Sequence, residues 1–489
     1  TSGSNLGLTS IHRKPYRSEP PSTMKSVSEL LVGSAGFFGK TFYHQSIIPV
    51  VFVTAFLAWR ARPATTEQIP KDFRMFQVCY LFVWAFCVAS DWLQGPYVYA
   101  LYSQYNFSRP EIAALFMAGF GASLVFGAFV GALCDKHGRK NCALVYCALY
   151  TVSCLTKHVK SYSVLMFGRI TGGIATSLLF SCFECWMVSE HQARHKFSSG
   201  LLSYMFGLMF TLMYLVAILS GFLGEFLAAG APLKPVAPNS IIYFGGALGP
   251  FDIAIVCLFI GGVSIIFLWE ENYGREAPEH DSRPAEDTML RNFAESVRLC
   301  FSDRKMLLVG LIVASFEGSM YAFVFNWTPA LESSTVPPPY GLIFALFMMA
   351  CMSGAAIATM TEGVMMPATR LAVAFGIGAV ALFIAASSSG NLKISFASFL
   401  IFEFCVGIYF PSVGIVKSQV VPEKFRASIY NLYRVPLNAV VVGLLLTNMK
   451  MVKVYQMCSL LLSIALVSIC AIMSTSTRGP CDPNTVKNV

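Results

Sequence analysis

Apolar runs divide this chain from end to end, most of them close to the roughly 20 residues a helix needs to cross a bilayer. A short one lies near 43–59. Twelve more follow at about 75–102, 110–134, 141–157, 163–188, 199–227, 250–270, 306–330, 339–360, 368–387, 394–417, 426–447 and 452–473. In hydrocarbon every backbone polar group must bond within its own segment, so such runs fold as helices. Composition agrees: 55% of the residues are hydrophobic and 12% charged, against about a quarter charged in soluble domains. The expected class is an all-α, multi-pass integral membrane protein whose constant partner is the lipid bilayer.

The longest connection, about 271–305, carries Glu271, Arg275, Glu276, Glu279, Asp281 and Arg283 and follows the sixth of the twelve runs. A polar hinge at the midpoint predicts two bundles of six. The predicted divisions are a tail over 1–41, an extra helix and basic linker over 42–74, a bundle over 75–270, the linker over 271–305, a second bundle over 306–475 and a tail over 476–489. If the 75–102 helix enters from the cytoplasm, the connections on that side after residue 102 hold seventeen Lys and Arg, and the opposite connections hold seven. That bias sets the orientation. The net charge of +9 is spread over loops rather than one basic face, so no nucleic-acid partner is expected. Residues 1–41 are basic and rich in Ser and Thr, which fits either a solvated tail or the flank of a removed targeting peptide.

Two carboxylates stand inside spans at matching points of the two halves, Asp91 in Ala89–Tyr97 and Glu317 in Ala314–Tyr321. A charge at bilayer depth needs a partner or a wet cavity, so such residues point to a pathway or to an ion-pair lock. The fourth and tenth spans repeat the pattern with Glu184 and Glu403, each after a Phe. Arg169 opens the fourth span and is followed by Gly172 and Gly173. Arg434 lies in the eleventh between Tyr433 and Pro436, with Asn438 one turn on. A guanidinium beside amide and phenol donors suits an oxyanion; an ion pair between Arg434 and Glu317 or Glu403 is the alternative. The loop after the second span reads Gly131-Ala132-Leu133-Cys134-Asp135-Lys136-His137-Gly138-Arg139-Lys140. Its glycines allow close turning, and Asp135 with Arg139 and Lys140 can bond across helix ends.

These strings together resemble the molybdate-anion transporter family of the major facilitator superfamily, its plant and algal members in particular, over about residues 72–475. The pattern G-x-x-x-D-x-x-G-R-K at 131–140 is similar to the superfamily's loop between helices two and three. Further matching strings are Asp91–Tyr99, Gly168–Trp186, Glu271–Gly274, Phe316–Tyr321, Trp327–Leu331, Tyr409–Ser412 and Arg434–Asn438. The resemblance implies the major facilitator fold, two six-helix bundles with one extra N-terminal helix, and uptake of molybdate.

The expected function is alternating-access transport of a small inorganic anion, molybdate foremost. Arg434, Arg169, Asn438, Tyr97 and Tyr321 would bind it. Asp91, Glu317, Glu184 and Glu403 would couple transport to protons or counter-charges. Gly131, Asp135, Gly138, Arg139 and Lys140 would gate. A dianion crossing against a negative-inside potential costs about 2.3 kcal/mol per charge per 100 mV, which proton symport would offset. The competing reading is a non-transporting subunit that scaffolds a larger complex, with protein partners docked on the tail and extra helix. No nucleotide loop, metal-spaced His cluster or nucleophile with a base is present, so neither an enzyme nor a cofactor is expected, and no metal.

Overall fold

The computed structural model describes residues 41–273, 295–332, 337–422 and 426–476, less single residues at 128, 296, 389 and 448. The tail, on which partner docking was expected, and most of the central linker lie outside the described residues. Two compact units divide at Ser46. In the first, α1 (Phe42–Gln45) is one helical turn, with the hydroxyl of Thr41 2.7 Å from His44 Nδ1.

The second unit begins with α2 (Ile47–Arg60), the extra helix. The first half follows as α3 (Lys71–Trp92), α4 (Tyr97–Gln104), α5 (Arg109–Gly127), α6 (Val130–His137), α7 (Arg139–Thr156), α8 (Tyr162–Ser189), α9 (Ser199–Gly230) and α10 (Gly249–Leu268). The second half is α11 (Arg304–Ala330), α12 (Tyr340–Met360), α13 (Pro367–Ser387), α14 (Leu392–Val420), α15 (Arg426–Leu446) and α16 (Met451–Ser476). Eleven of the described helices are long and apolar enough to cross a membrane. The α7 and α15 helices complete the twelve beside the extra one: two six-helix bundles, as expected.

Short polar side chains start several spans by taking up orphan backbone donors. Ser198 accepts from Leu201 N–H at 3.1 Å, Asp303 from Lys305 N–H at 2.7 Å, and Asn391 from Lys393 N–H at 3.1 Å. The second span differs from its prediction. A continuous helix over 110–134 was expected, but α5 stops at Gly127 and α6 resumes at Val130.

Inside each half, helices cross backbone to backbone at glycines, as membrane helices without a hydrophobic drive between them tend to do. A Cβ on Gly173 of α8 would stand 2.2 Å from the Gly119 carbonyl of α5. At the corresponding place in the second half, Gly354 of α12 faces the Phe404 carbonyl and Gly407 of α14 the Cys351 carbonyl, each at 1.9 Å from the added atom. Between the halves α5 meets α15 and α9 meets α12, the same two span positions exchanged. The extra helix lies on α12, where Thr54 donates to Met349 O at 3.2 Å and is 3.0 Å from Ser353 Oγ. The linker after it lies on the start of α9: Pro63 faces Gly207, and Ser198 Oγ donates to Glu67.

Opposite the cation-rich face, β1 (Lys234–Pro235) and β2 (Tyr243–Phe244) form a small hairpin between α9 and α10. It bonds to the α7–α8 turn through Lys160 N–H to Ile241 O at 2.7 Å and Tyr243 N–H to His158 O at 2.8 Å. The His158 ring reaches Tyr243 O through Nδ1 at 3.2 Å and Asp252 Oδ1 through Nε2 at 3.1 Å. Both partners accept, so the doubly protonated ring satisfies the site. The Asp252 carboxylate accordingly raises the imidazole pKa above its ordinary value. The stabilisation is therefore fully present below about pH 6.5 and is lost as pH rises through the raised pKa. Asp252 is half exposed, which limits the effect to a few tenths to about 1 kcal/mol. His158→Gln should flatten the fall in melting temperature between about pH 5.5 and about pH 8.5, either side of that ordinary value; an unaltered profile excludes His158 as its source.

Candidate functional site

A cavity of about 110 Å³ opens at the seam where α5, α11 and α15 converge. That is room for several waters or one small tetrahedral anion. The α11 helix supplies Glu317 and Tyr321, and α15 supplies Arg434 and Asn438. Ser123 comes from α5, and Phe120 and Leu437 are among the apolar residues that close the walls. Five of the nine lining residues are polar or charged, a composition that suits a hydrophilic ion rather than an apolar ligand.

Arg434 reaches across the seam, and Gly127 makes room for it. A Cβ on Gly127 would stand 3.0 Å from Arg434 Nη1. Pro436, two residues on, cannot donate to the helix ladder, and the Asn438 amide donates to the Arg434 carbonyl. Among the described residues the guanidinium itself donates no hydrogen bond and joins no ion pair, and Arg434 is exposed. Glu317 accepts from Tyr409 Oη of α14 at 2.9 Å. The charges of Lys417 and Arg434 both reach its carboxylate.

The other expected residues lie elsewhere. Asp91 accepts from Tyr150 Oη within the first half and does not line the cavity. Arg169 fills the space left by Gly119, donates Nε–H to Leu115 O at 3.1 Å and stacks 4.9 Å over the Phe116 ring. Its donors point into its own bundle. Tyr97 is buried and donates to Glu225 at 3.2 Å. Glu403 is buried and Glu184 exposed, and neither shares the cavity. The matching sequence positions of these two acids end in unlike surroundings.

The 131–140 loop is latched within the first half. Arg139 pairs with Asp135 at 2.7 Å. Glu271, beyond the end of α10, accepts from Lys140 N–H at 2.8 Å and Asn141 N–H at 3.1 Å and so caps α7. Gly138 has φ +92°, and a Cβ there would strike the Glu271 carboxylate. Lys140 Nζ donates to Ile266 O at 2.9 Å. Gly131 has open space around its Cα.

Two polar bridges join the halves at the face opposite the cation-rich one. Arg109 donates to Asn326 at 2.6 Å. Glu225 of α9 accepts from Gly341 N–H, at the start of α12, at 2.9 Å. Nearer the middle, Cys351 Sγ lies 3.7 Å from Tyr214 Oη. Among the described residues no hydrogen bond joins the halves on the cation-rich side of that contact. The sequence reading missed Glu225; a carboxylate close to a predicted span end looks like an ordinary interfacial residue, and its partner is a backbone amide with no sequence signal.

Duplicated six-helix halves with a polar cavity at their seam define a membrane transporter. A family model described as sugar transporters with twelve transmembrane helices matches residues 42–408. The molybdate-anion transporter of Xenopus tropicalis is 31% identical over 401 residues, 80% of this chain and 83% of that protein. That of Danio rerio is 30% identical over 427 residues, 79% and 86% of the two chains. Among solved structures a D-xylose–proton symporter superposes with a TM-score of 0.60 at 11% identity, over 82% of this chain and 97% of the other, which shows the fold. The chain belongs to the molybdate-anion transporter family of the major facilitator superfamily.

Proposed function

We propose that the protein carries a small tetrahedral oxyanion, molybdate before others, across its membrane by alternating access, with Arg434 as the anchor. The observation that carries this reading is a guanidinium that donates no hydrogen bond among the described residues, held at the seam beside Tyr321, Asn438 and Ser123 in a cavity sized for such an ion. Arginine keeps its charge and presents paired donors that match oxyanion geometry. The relatives named as molybdate-anion transporters supply the choice of anion. The bridges at Arg109 and Glu225 close one face, and their opening, together with closure at the cation-rich face, is the alternation. The latched 131–140 loop keeps α6, α7 and α10 moving as one piece.

In proteoliposomes, Arg434→Ala should cut molybdate uptake about tenfold to a hundredfold, the equivalent of the roughly 1.5–3 kcal/mol of a charged hydrogen bond. The purified variant should keep its melting temperature and lose the stabilisation that molybdate gives the wild type. Wild-type uptake by the variant would remove Arg434 from the site.

A further inference from the structure

In the second half two cations act on one carboxylate, neither of them close enough to form an ion pair with it among the described residues. Glu317 is faced by Arg434 of α15 and by Lys417 of α14, and Lys417 in turn is faced by Glu317 and Arg434. Tyr409 and Tyr321 are the other titratable groups that reach Glu317 among the described residues. The α5 helix contributes Ser123 to this side and no charge. Lys417 stands outside the cavity lining, two turns beyond Tyr409 toward the cation-rich face. Its Nζ lies 4.9 Å from the Tyr430 ring, a contact that leaves its charge unneutralised.

We propose that Lys417 and Arg434 form a divalent cationic pair whose resting counter-ion is Glu317, so that each dianion bound is accompanied by one proton taken up at Glu317. Charge balance supports this, because net charge at bilayer depth is costly even beside a water-filled cavity. Two cations against one carboxylate leave one positive charge. A dianion added alone would leave one negative charge, and unbalanced charge in such surroundings is costly. A proton moving from water to the Glu317 carboxylate brings the sum to zero and leaves both cations to the anion. Among the described residues the first half offers no second acceptor at the cavity, because Asp91 is bonded to Tyr150 and does not line it. The count is therefore one proton per anion. The same arithmetic makes Lys417 a positioning and selectivity residue: without it the site carries the charge of a monoanion pocket.

This inference rests on the oxyanion reading above, and the test separates the two. Calorimetric titration of purified protein with sodium molybdate, in buffers of different ionisation enthalpy, counts protons exchanged per anion bound. The wild type should take up close to one. Glu317→Gln should bind molybdate with none and with an affinity independent of pH. Lys417→Met should weaken molybdate at least tenfold while nitrate binding holds or improves, and Lys417→Arg should restore the wild-type order. Molybdate binding without proton uptake in the wild type, or uptake that persists in Glu317→Gln, overturns the coupling. Equal losses for nitrate and molybdate in Lys417→Met, unrescued by arginine, overturn the role of Lys417. Failure of the wild type to bind molybdate, tungstate or sulfate removes the oxyanion reading itself.

Discussion

Gly407→Ala should lower the melting temperature sharply, and Gly407→Val should yield no folded protein. The atom that alanine adds would stand 1.9 Å from the Cys351 carbonyl carbon's oxygen, and Gly354→Ala meets the Phe404 carbonyl at the same distance. Both obstacles are helix backbone, which cannot rotate away as a flexible side chain can. The α12 and α14 helices would have to separate along their whole crossing, breaking the contact that builds the second half. Overpacking typically costs about 1–3 kcal/mol and more where backbone must shift, and the tightness here puts the effect at the upper end. Gly376→Ala is the control. Its nearest obstacle is Leu466 Cδ2 at 3.9 Å, and the helix gains propensity, so its stability should match or exceed the wild type. A Gly407→Ala protein as stable as Gly376→Ala would show that the crossing is not a close one.

Glu225→Ala should open the face that the structure holds closed. The α12 helix starts at Tyr340 behind Pro339, and no side chain of its own caps it. Its cap comes from the other half, where Glu225 accepts from Gly341 N–H and from Tyr97 Oη. A carboxylate at a helix N-terminus also meets the positive end of the dipole. Alanine would leave the buried Gly341 N–H unsatisfied, about 1–3 kcal/mol, in this conformation only, since α9 and α12 part when the face opens; the Tyr97 bond lies within the first half and is lost in both forms. The population of the opened form should rise by a factor of about 5 to 100. Hydrogen exchange at the Gly341 and Leu342 amides reads this directly as faster exchange with unchanged exchange in α7. Equal protection in the variant would show that the bridge does not hold the seam.

The spans were legible because a bilayer leaves one solution to an apolar run of that length, and even the polar α7 was placed correctly. Glu317, Tyr321, Arg434 and Asn438 were legible for the same reason in reverse: polar groups deep in such runs stand out, and the structure gathers these four in one cavity. Depth alone could not tell a group facing the seam from one bonded inside its own bundle. Asp91, Arg169 and Tyr97 satisfy the same rule and find partners in the first half. Lys417 failed in the opposite direction. Near a helix end it counts as an orienting surface cation, and only the packing of α14 against α11 brings its charge within reach of Glu317. The interruption after Gly127 had no sequence mark beyond a glycine, a residue frequent throughout these spans.

The extra helix grips α12 through Thr54, while the residues that follow it are pinned to α9 at Pro63 and Glu67. It thus rides with one lobe and is buckled to the other. Every swing of the lobes alters the gap that this short strap spans, so the carrier works against a mechanical load set by residues that never meet its cargo. Lengthening or stiffening that strap tunes the machine's stroke from its outside edge.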